Sequence, residues 1–174
     1  MLQAFLVVNA VLFLLGGRVQ NSILPGQGIG DFRLNQTLEE LTAKHGQPKA
    51  GDLSLGRGSA AWDVKYTLID GRESVGTIKV FLRRVSGAKS YSAVQISTDS
   101  PSYRTRAGIR VSSTLGEITK AYLDLVRSEI EADGTHAILD SRDMGIAFLL
   151  NKESRCQKIV IHRPGTRLVA SEIP

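Results

Sequence analysis

The sequence predicts an α+β fold in which one helix-plus-sheet unit occurs twice. Two observations lead to this prediction: a segment that recurs 77 positions further along the chain, and runs of alternating apolar and polar residues after each copy. A repeat of this length is typical of a supersecondary unit used twice, and period-two alternation is typical of strands with one buried face. We therefore predict two tandem α-β-β-β repeats that form one antiparallel sheet of about six strands, with both helices on one face.

The repeat is clearest at the predicted helix starts, where four of ten aligned positions are identical. Thr37 aligns with Thr114, and Glu40 aligns with Glu117. A threonine followed three residues later by glutamate is a capping box, in which each side chain accepts a hydrogen bond from the backbone N–H of the other. The spacing predicts helices that begin directly after the two threonines.

Three strands are predicted after each helix, and the glycine-rich segments between elements are predicted as loops. The predicted loops are the lead segment 22–30 and the segment 49–59. The predicted strands are 61–69, 78–82 and 94–97 in the first repeat, and 136–140, 145–150 and 157–162 in the second. The apolar phase of these patterns predicts a core that contains Leu38, Leu41, Trp62, Leu115, Ile118, Phe148 and Ile161.

The N-terminal segment predicts an export signal. The stretch Ala4 to Leu15 is apolar except at Asn9, a length that fits the apolar region of a signal peptide and is short for a membrane span. We predict a signal peptide or N-terminal anchor in residues 1–22, and hence an extracytoplasmic protein, periplasmic or secreted. A buried terminal element is the alternative. Residues 23–100 and 101–174 then form the two repeats of one joint domain.

The charge of the chain allows two interpretations. The formal net charge is +5, the isoelectric point is about 9.6, and the basic excess is shared by both halves. Such a balance is typical of a solvated surface, and also of a surface that binds a polyanion such as nucleic acid, anionic lipid or a cell-wall polymer. Cys156 is the single cysteine, which excludes an internal disulfide and a cysteine-based metal cluster.

The residue types that commonly catalyse reactions are few and scattered. The three histidines are His45, His136 and His162, and none has the spacing of a metal motif. His45 is predicted to end the first helix, where a cation suits the helix dipole. The glycines from Gly26 to Gly30 do not fit the dinucleotide-binding pattern, which needs a glycine where Asp31 stands and a preceding strand. They also lack the following lysine of a P-loop. The sequence therefore predicts no catalytic residue, cofactor, nucleotide or metal.

The second repeat resembles a known module. It reads G-I-x-V-x-x-T-L-x-E-I-x-x-A-Y over residues 108–122, G-I-x-F-x-L over 145–150 and K-I-V-I over 158–161. These motifs resemble a module of exported bacterial proteins of unknown function, and they are similar to units of the β-lactamase-inhibitor protein and of small outer-membrane-assembly lipoproteins. The glycine that usually precedes the capping residue is Asn35 in the first repeat and Ser112 in the second. The resemblance implies a binding or scaffolding protein without catalytic residues.

Three functions follow from these observations as hypotheses. The leading one is a non-enzymatic extracytoplasmic module that presents a sheet face to an unidentified protein or envelope component. The second is a polyanion-binding protein that uses a basic strip. Alternatively, the same cations only protect sheet edges from pairing with another chain. An envelope hydrolase is the weakest, because no nucleophile–base pair can be named. The predicted strip consists of Arg83, Arg84, Lys89, Arg104, Arg106 and Arg110, with Tyr91 and Tyr103 beside them.

Overall fold

The computed structural model describes residues 21–84, 89–129 and 137–168, which fold mostly as β structure. Two helices occur in these residues, α1 (Leu38–His45) and α2 (Leu115–Ala121). The strands are β1 (Ser22–Leu24), β2 (Gly28–Ile29), β3 (Phe32–Arg33), β4 (Ala50–Ser54), β5 (Arg57–Thr67), β6 (Glu73–Arg84), β7 (Tyr91–Thr98), β8 (Arg104–Thr105), β9 (Val126–Glu129), β10 (Ala137–Ser141), β11 (Ile146–Leu150) and β12 (Cys156–His162). Among the described residues, neither helix is long and apolar enough to cross a membrane.

The strands form two sheets. The larger sheet has eight antiparallel strands in the order β4-β5-β6-β7-β12-β11-β10-β9, and its two halves meet where β7 pairs with β12. In that central pair Ile96 lies opposite Ile161 and Ser97 opposite Val160. The smaller sheet has the order β3-β2-β1-β8, and its parallel β1–β8 pair joins Ser22 to Arg104 in register.

The predicted fold class is therefore wrong. The described chain is mostly β, with twelve strands in two sheets, instead of two α-β-β-β repeats in a sheet of about six strands. The prediction missed β4, which is exposed at all five positions and so shows no apolar alternation. It also missed β1, β2, β3 and β8, whose two or three residues are too few to show a period. The predicted loops 22–30 and 49–59 contain several of these strands.

The predicted helix starts are confirmed. Thr37 and Thr114 are the N-caps of α1 and α2, and each forms the complete capping box with Glu40 or Glu117. The Thr37 backbone N–H donates to Glu40 Oε2 at 2.8 Å, and the Thr114 N–H donates to Glu117 Oε2 at 2.7 Å. The pKa of Glu117 is lowered, chiefly because its carboxylate accepts this hydrogen bond.

The residue two positions before each cap adopts a left-handed conformation. Asn35 has φ 70° and Ser112 has φ 78°, a region that favours glycine and, among other residues, asparagine. The two positions at which this chain departs from the glycine of the resembling module therefore keep the backbone conformation that glycine would supply. The chain entry into both helices is equivalent.

One face of the large sheet carries the core. The indole Nε1 of Trp62 on β5 donates to the Gly46 carbonyl at the end of α1, at 2.9 Å. The rings of Tyr122, at the end of α2, and Phe148 on β11 lie 5.1 Å apart. Both helices therefore pack on this face, here called the first face, together with the apolar residues of the small sheet.

The opposite side, here called the second face, has a different composition. Alternation along the strands places Phe81, Ala147, Leu149 and Val160 on it, and these four are buried without belonging to the core cluster. The polar residues that share this face include Gln95, Ser97, Lys79, Lys158 and His162. The Nζ of Lys79 lies 4.9 Å from the centre of the Phe81 ring.

The predicted core is confirmed in five of its seven positions. Leu41, Trp62, Ile118, Phe148 and Ile161 are buried. Leu38 and Leu115 are only partly buried, because each is the first residue of its helix and packs against the rim of the core. Of the predicted export segment, residues 1–20 lie outside the described part of the chain, and Ser22 belongs to β1.

Candidate basic groove

A groove with basic walls lies between the end of β5 and the loops around β8. Its volume is about 570 Å³. Lys65, Arg104 and Arg110 line it, and all three side chains are exposed. The described residues that line the groove include no carboxylate; they are Asn21, Lys65, Tyr66, Thr67, Leu68, Ile69, Pro101, Ser102, Tyr103, Arg104, Arg110, Val111 and Ser112.

Local structure fixes the two arginines on the groove. Arg104 belongs to β8, and its backbone N–H donates to the Asn21 carbonyl at 3.0 Å. A tight turn follows, in which the backbone N–H of Thr105 donates to the Ile109 carbonyl at 2.9 Å and Gly108 adopts φ 83°. A side chain at Gly108 would be strained by that φ value. The turn brings Arg110 back beside Arg104.

The cations of the groove, Lys65, Arg104 and Arg110, form no ion pair in the described residues. Arg110 nevertheless lies near enough to Glu117 to help lower the pKa of that carboxyl group. Two other exposed cations do form ion pairs: Lys49 pairs with Asp63, and Arg72 pairs with Asp70 at 2.7 Å. Three unpaired cations around one cavity make the groove a region of positive potential.

Tyr103 joins the groove to a second cavity. It lines both the groove and a cavity of about 270 Å³ that also contains Asp31 and His45. Tyr103 is buried, and burial, together with the nearby Asp31 carboxylate, raises the pKa of its hydroxyl. The hydroxyl therefore stays protonated at neutral pH and can donate a hydrogen bond.

His45 lies in the second cavity at the end of α1. Its ring stacks on Phe32 with centres 3.9 Å apart, and its Nε2 atom is buried without a hydrogen-bond partner in the described residues. Burial and the neighbouring Lys44 lower the pKa of His45, and Asp31 opposes them. The predicted cation at the helix end is therefore disfavoured, because the ring is packed against apolar groups.

The predicted basic strip divides into two groups. Tyr103, Arg104 and Arg110 meet at the groove, but Arg84 pairs in register with Tyr91 at the far end of β6 and β7. Thr98, the last residue of β7, lies opposite Ile78 of β6. Arg84 is six residues further along β6 than Ile78, which is about 20 Å at the usual strand rise. The two groups therefore do not form one surface.

The remaining strip residues lie outside the groove. Arg83 is exposed and lies opposite Ser92, and the guanidinium carbon of Arg84 lies 5.9 Å from the centre of the Tyr91 ring. Lys89 is exposed at the start of the β7 side of this hairpin, and Arg106 is exposed in the turn after β8. None of these residues lines the groove.

Sequence reasoning missed Lys65 as a groove residue. It lies on β5, where alternation marks it only as a solvent-facing strand position. Lys65 and Arg104 are 39 positions apart in the sequence. They line the same groove because the long β5–β6 hairpin lies beside the loops around β8. The sequence offered one signal, the unusual length of the alternating run from Ala61 to Ile69, which indicates a long strand.

Cys156 and His162, two further reactive groups in the described residues, are enclosed. Cys156 is buried, its Sγ donates to the Lys158 carbonyl at 3.4 Å, and burial raises its pKa to about 12. His162 is also buried, with Nε2 3.0 Å from Asp140 Oδ1 and Nδ1 3.0 Å from the Arg163 carbonyl. Both ring nitrogens of His162 are therefore occupied by acceptors. His136 lies outside the described residues.

Comparison with known proteins identifies no relative. No protein-family model matches the chain, and no match was found among curated proteins or solved structures. Within residues 21–84, 89–129 and 137–168, no group of three or more His, Cys, Asp or Glu side chains is placed to hold a metal ion. The groove geometry is therefore the main basis for a functional proposal.

Proposed function

We propose that the protein is a non-enzymatic, extracytoplasmic binding module that holds acidic groups of a polyanion in the basic groove. The observation that supports this most directly is the meeting of Lys65, Arg104 and Arg110 around one cavity, where the described residues provide neither an ion pair for these cations nor a lining carboxylate. Unpaired cations on a shared cavity attract anions, whereas cations that only protect sheet edges need not converge.

The groove suits sulfate, phosphate or carboxylate groups carried on a polymer. Arginine donates two parallel hydrogen bonds to such oxyanions, and lysine supplies a compact positive charge. Tyr103 adds an aromatic wall residue to the groove. The volume of about 570 Å³ holds a few polymer units at a time, so affinity rises with the number of acidic groups that bind in succession.

The experiment is a titration with fluorescently labelled dextran sulfate at several salt concentrations. The logarithm of the binding constant should fall linearly with the logarithm of the salt concentration, because bound cations release counterions. In the double variant Arg104→Ala/Arg110→Ala the slope should become shallower by about two, at about one per lost contact. Absence of binding by the unmodified protein would exclude the proposal.

A matched control comes from the other end of the predicted strip. The double variant Arg83→Ala/Arg84→Ala removes the same charge. These two arginines lie about 20 Å along the strand from the end of β7, after which the chain continues to Tyr103. We expect its slope to equal that of the unmodified protein. If the slope became shallower by the same amount in both double variants, the binding of dextran sulfate would depend on the net charge of the protein and not on the groove.

The extracytoplasmic part of the proposal rests on the apolar stretch Ala4 to Leu15. A stretch of this length fits the apolar region of a signal peptide. Fractionation of bacterial cells that express the full chain tests it: recovery outside the cytoplasm supports export, and exclusive recovery in the cytoplasm contradicts it.

A second candidate function is protein binding on the second face of the large sheet. Its four apolar residues outside the core are buried, so Lys79 and Lys158, which are partly exposed, would make the contact, and they fit a partner with acidic groups. Burial lowers the pKa of Lys158. Acetylation of the folded protein by a water-soluble reagent tests access: modification of both lysines supports the candidate, and protection of both excludes it.

A further inference from the structure

We propose that β4 is a docking edge to which a partner protein adds an extended strand with alternating apolar and basic side chains. β4 is the first strand of the large sheet, and in the described part of the chain no strand pairs with its outer side. All five residues from Ala50 to Ser54 are exposed. An unpaired strand edge presents backbone donors and acceptors that another strand can satisfy.

An apolar cavity lies beside this edge on the first face. Its volume is about 350 Å³, and its walls include Leu38 of α1, Pro48 and Leu53. Gly51 also lines it and has no side chain to fill the space. In strand addition the backbone supplies affinity, and pockets that receive alternate side chains supply specificity. A partner residue opposite Gly51 would place its side chain in this cavity.

The charge on β4 favours a basic residue at the next position of the partner strand. Asp52 is exposed, and in the described residues its carboxylate has no ion-pair partner. It points to the face opposite Gly51, because successive strand residues alternate. A lysine or arginine directly opposite Asp52 forms a favourable cross-strand pair. The partner strand therefore carries an apolar residue toward the cavity and a basic residue next to it.

The same aspartate argues against a second copy of this chain as the occupant. Asp52 is the middle residue of β4. Symmetric antiparallel pairing of two β4 strands would place the two Asp52 carboxylates directly opposite each other, and like charges in that position are destabilising. A different protein that supplies positive charge fits the edge better.

The experiment uses a labelled synthetic peptide, Val-Lys-Val-Lys-Val-Lys-Val, and fluorescence anisotropy. We expect saturable binding that weakens at least about tenfold when the peptide backbone is N-methylated, because strand addition needs its N–H groups. A peptide of the same composition with all lysines together should also lose about tenfold. Equal binding of the three peptides, or no binding, would overturn the proposal.

Two protein variants locate the contact. Asp52→Lys should weaken binding of the alternating peptide about tenfold by like-charge repulsion, and Gly51→Leu should do the same by filling the cavity. The exposed Asp143→Lys, on a distant turn, is the matched charge control and should bind like the unmodified protein. If Gly51→Leu fails to fold, Asp52→Lys alone tests the contact, because a substitution at this exposed position should leave the fold intact.

Two further outcomes separate the alternatives. The double variant Arg104→Ala/Arg110→Ala should bind the peptide normally, because the groove is a different site. Loss of peptide binding in this variant would contradict the assignment of the contact to β4. Sedimentation velocity of the free protein should show a monomer. A dimer that Asp52→Lys dissociates would identify a second copy as the occupant and overturn the proposal.

Discussion

The fold holds the ring of His45 in an environment that favours the neutral form. Burial against Phe32 and the charge of Lys44 lower its pKa, and Nε2 has no described partner that would stabilise an added proton. Because the folded pKa lies below the unfolded value, the unfolded chain binds the proton more readily. The contribution of His45 to stability is therefore complete above about pH 6.5 and is lost as the pH falls below it.

We expect the pH sensitivity of stability to decrease in the variant His45→Phe, which keeps an aromatic ring against Phe32. Thermal melting at pH 7.5 and pH 5.5 measures this. The melting temperature of the unmodified protein should fall further between the two conditions than that of the variant. His162 and the carboxylates are present in both proteins, so their contributions cancel in the comparison. An identical fall in both proteins would contradict the role of His45.

Single residues also show how far the site could be predicted. The sequence marks Arg104 and Arg110 as exposed cations beside Tyr103, and the groove contains all three. It could not separate them from Arg84, because nearness along the chain says nothing about the register of a hairpin. The register of β6 with β7 places Arg84 at the opposite end.

At the scale of elements, the helices follow from local rules and some strands do not. A capping box involves residues three positions apart, so both helix starts could be predicted from sequence. The edge strand β4 depends on pairing with β5 and has no buried position. Its assignment needs the neighbouring strand, which local patterns do not supply.

The two apolar residues of the α2 face should differ in energetic importance. Ile118 is fully buried, whereas Leu115 is partly buried at the first helical position. Ile118→Ala should lower the free energy of unfolding by about 2–5 kcal/mol, and Leu115→Ala by about 1 kcal/mol, since it loses less buried area. Urea titrations of both variants measure the difference. A larger loss for Leu115→Ala would mean that the orientation of α2 is wrong.

At the scale of the whole molecule, the two halves of the large sheet share one core. The β7–β12 pair joins them, and the core cluster contains residues of both, such as Trp62 and Phe148. The small sheet adds a second link, because β1 pairs with β8. The sequence repeat suggests two equivalent units, but this packing makes them one cooperative structure.

We therefore expect a single unfolding transition. Trp62, the one tryptophan of the chain, reports on the first half through its fluorescence, and far-ultraviolet circular dichroism reports on all strands. The two signals should change at the same urea concentration. As a control, Ile161→Ala in β12 should shift both curves together. Tryptophan fluorescence that changes separately from the circular dichroism would show that the halves unfold independently.

The contact between Gly26 and the turn after β12 has a consequence for how the chain can be rearranged. Gly26 lies so close to Pro164 that a Cβ atom built on it would be 2.7 Å from the proline ring. The first and last described segments therefore come into contact at this point, an arrangement that favours circular permutation. A short linker between residues 168 and 21, with new ends at the exposed Leu55, would place β4 at a free terminus. The docking edge would then become a position for fusing a reporter domain.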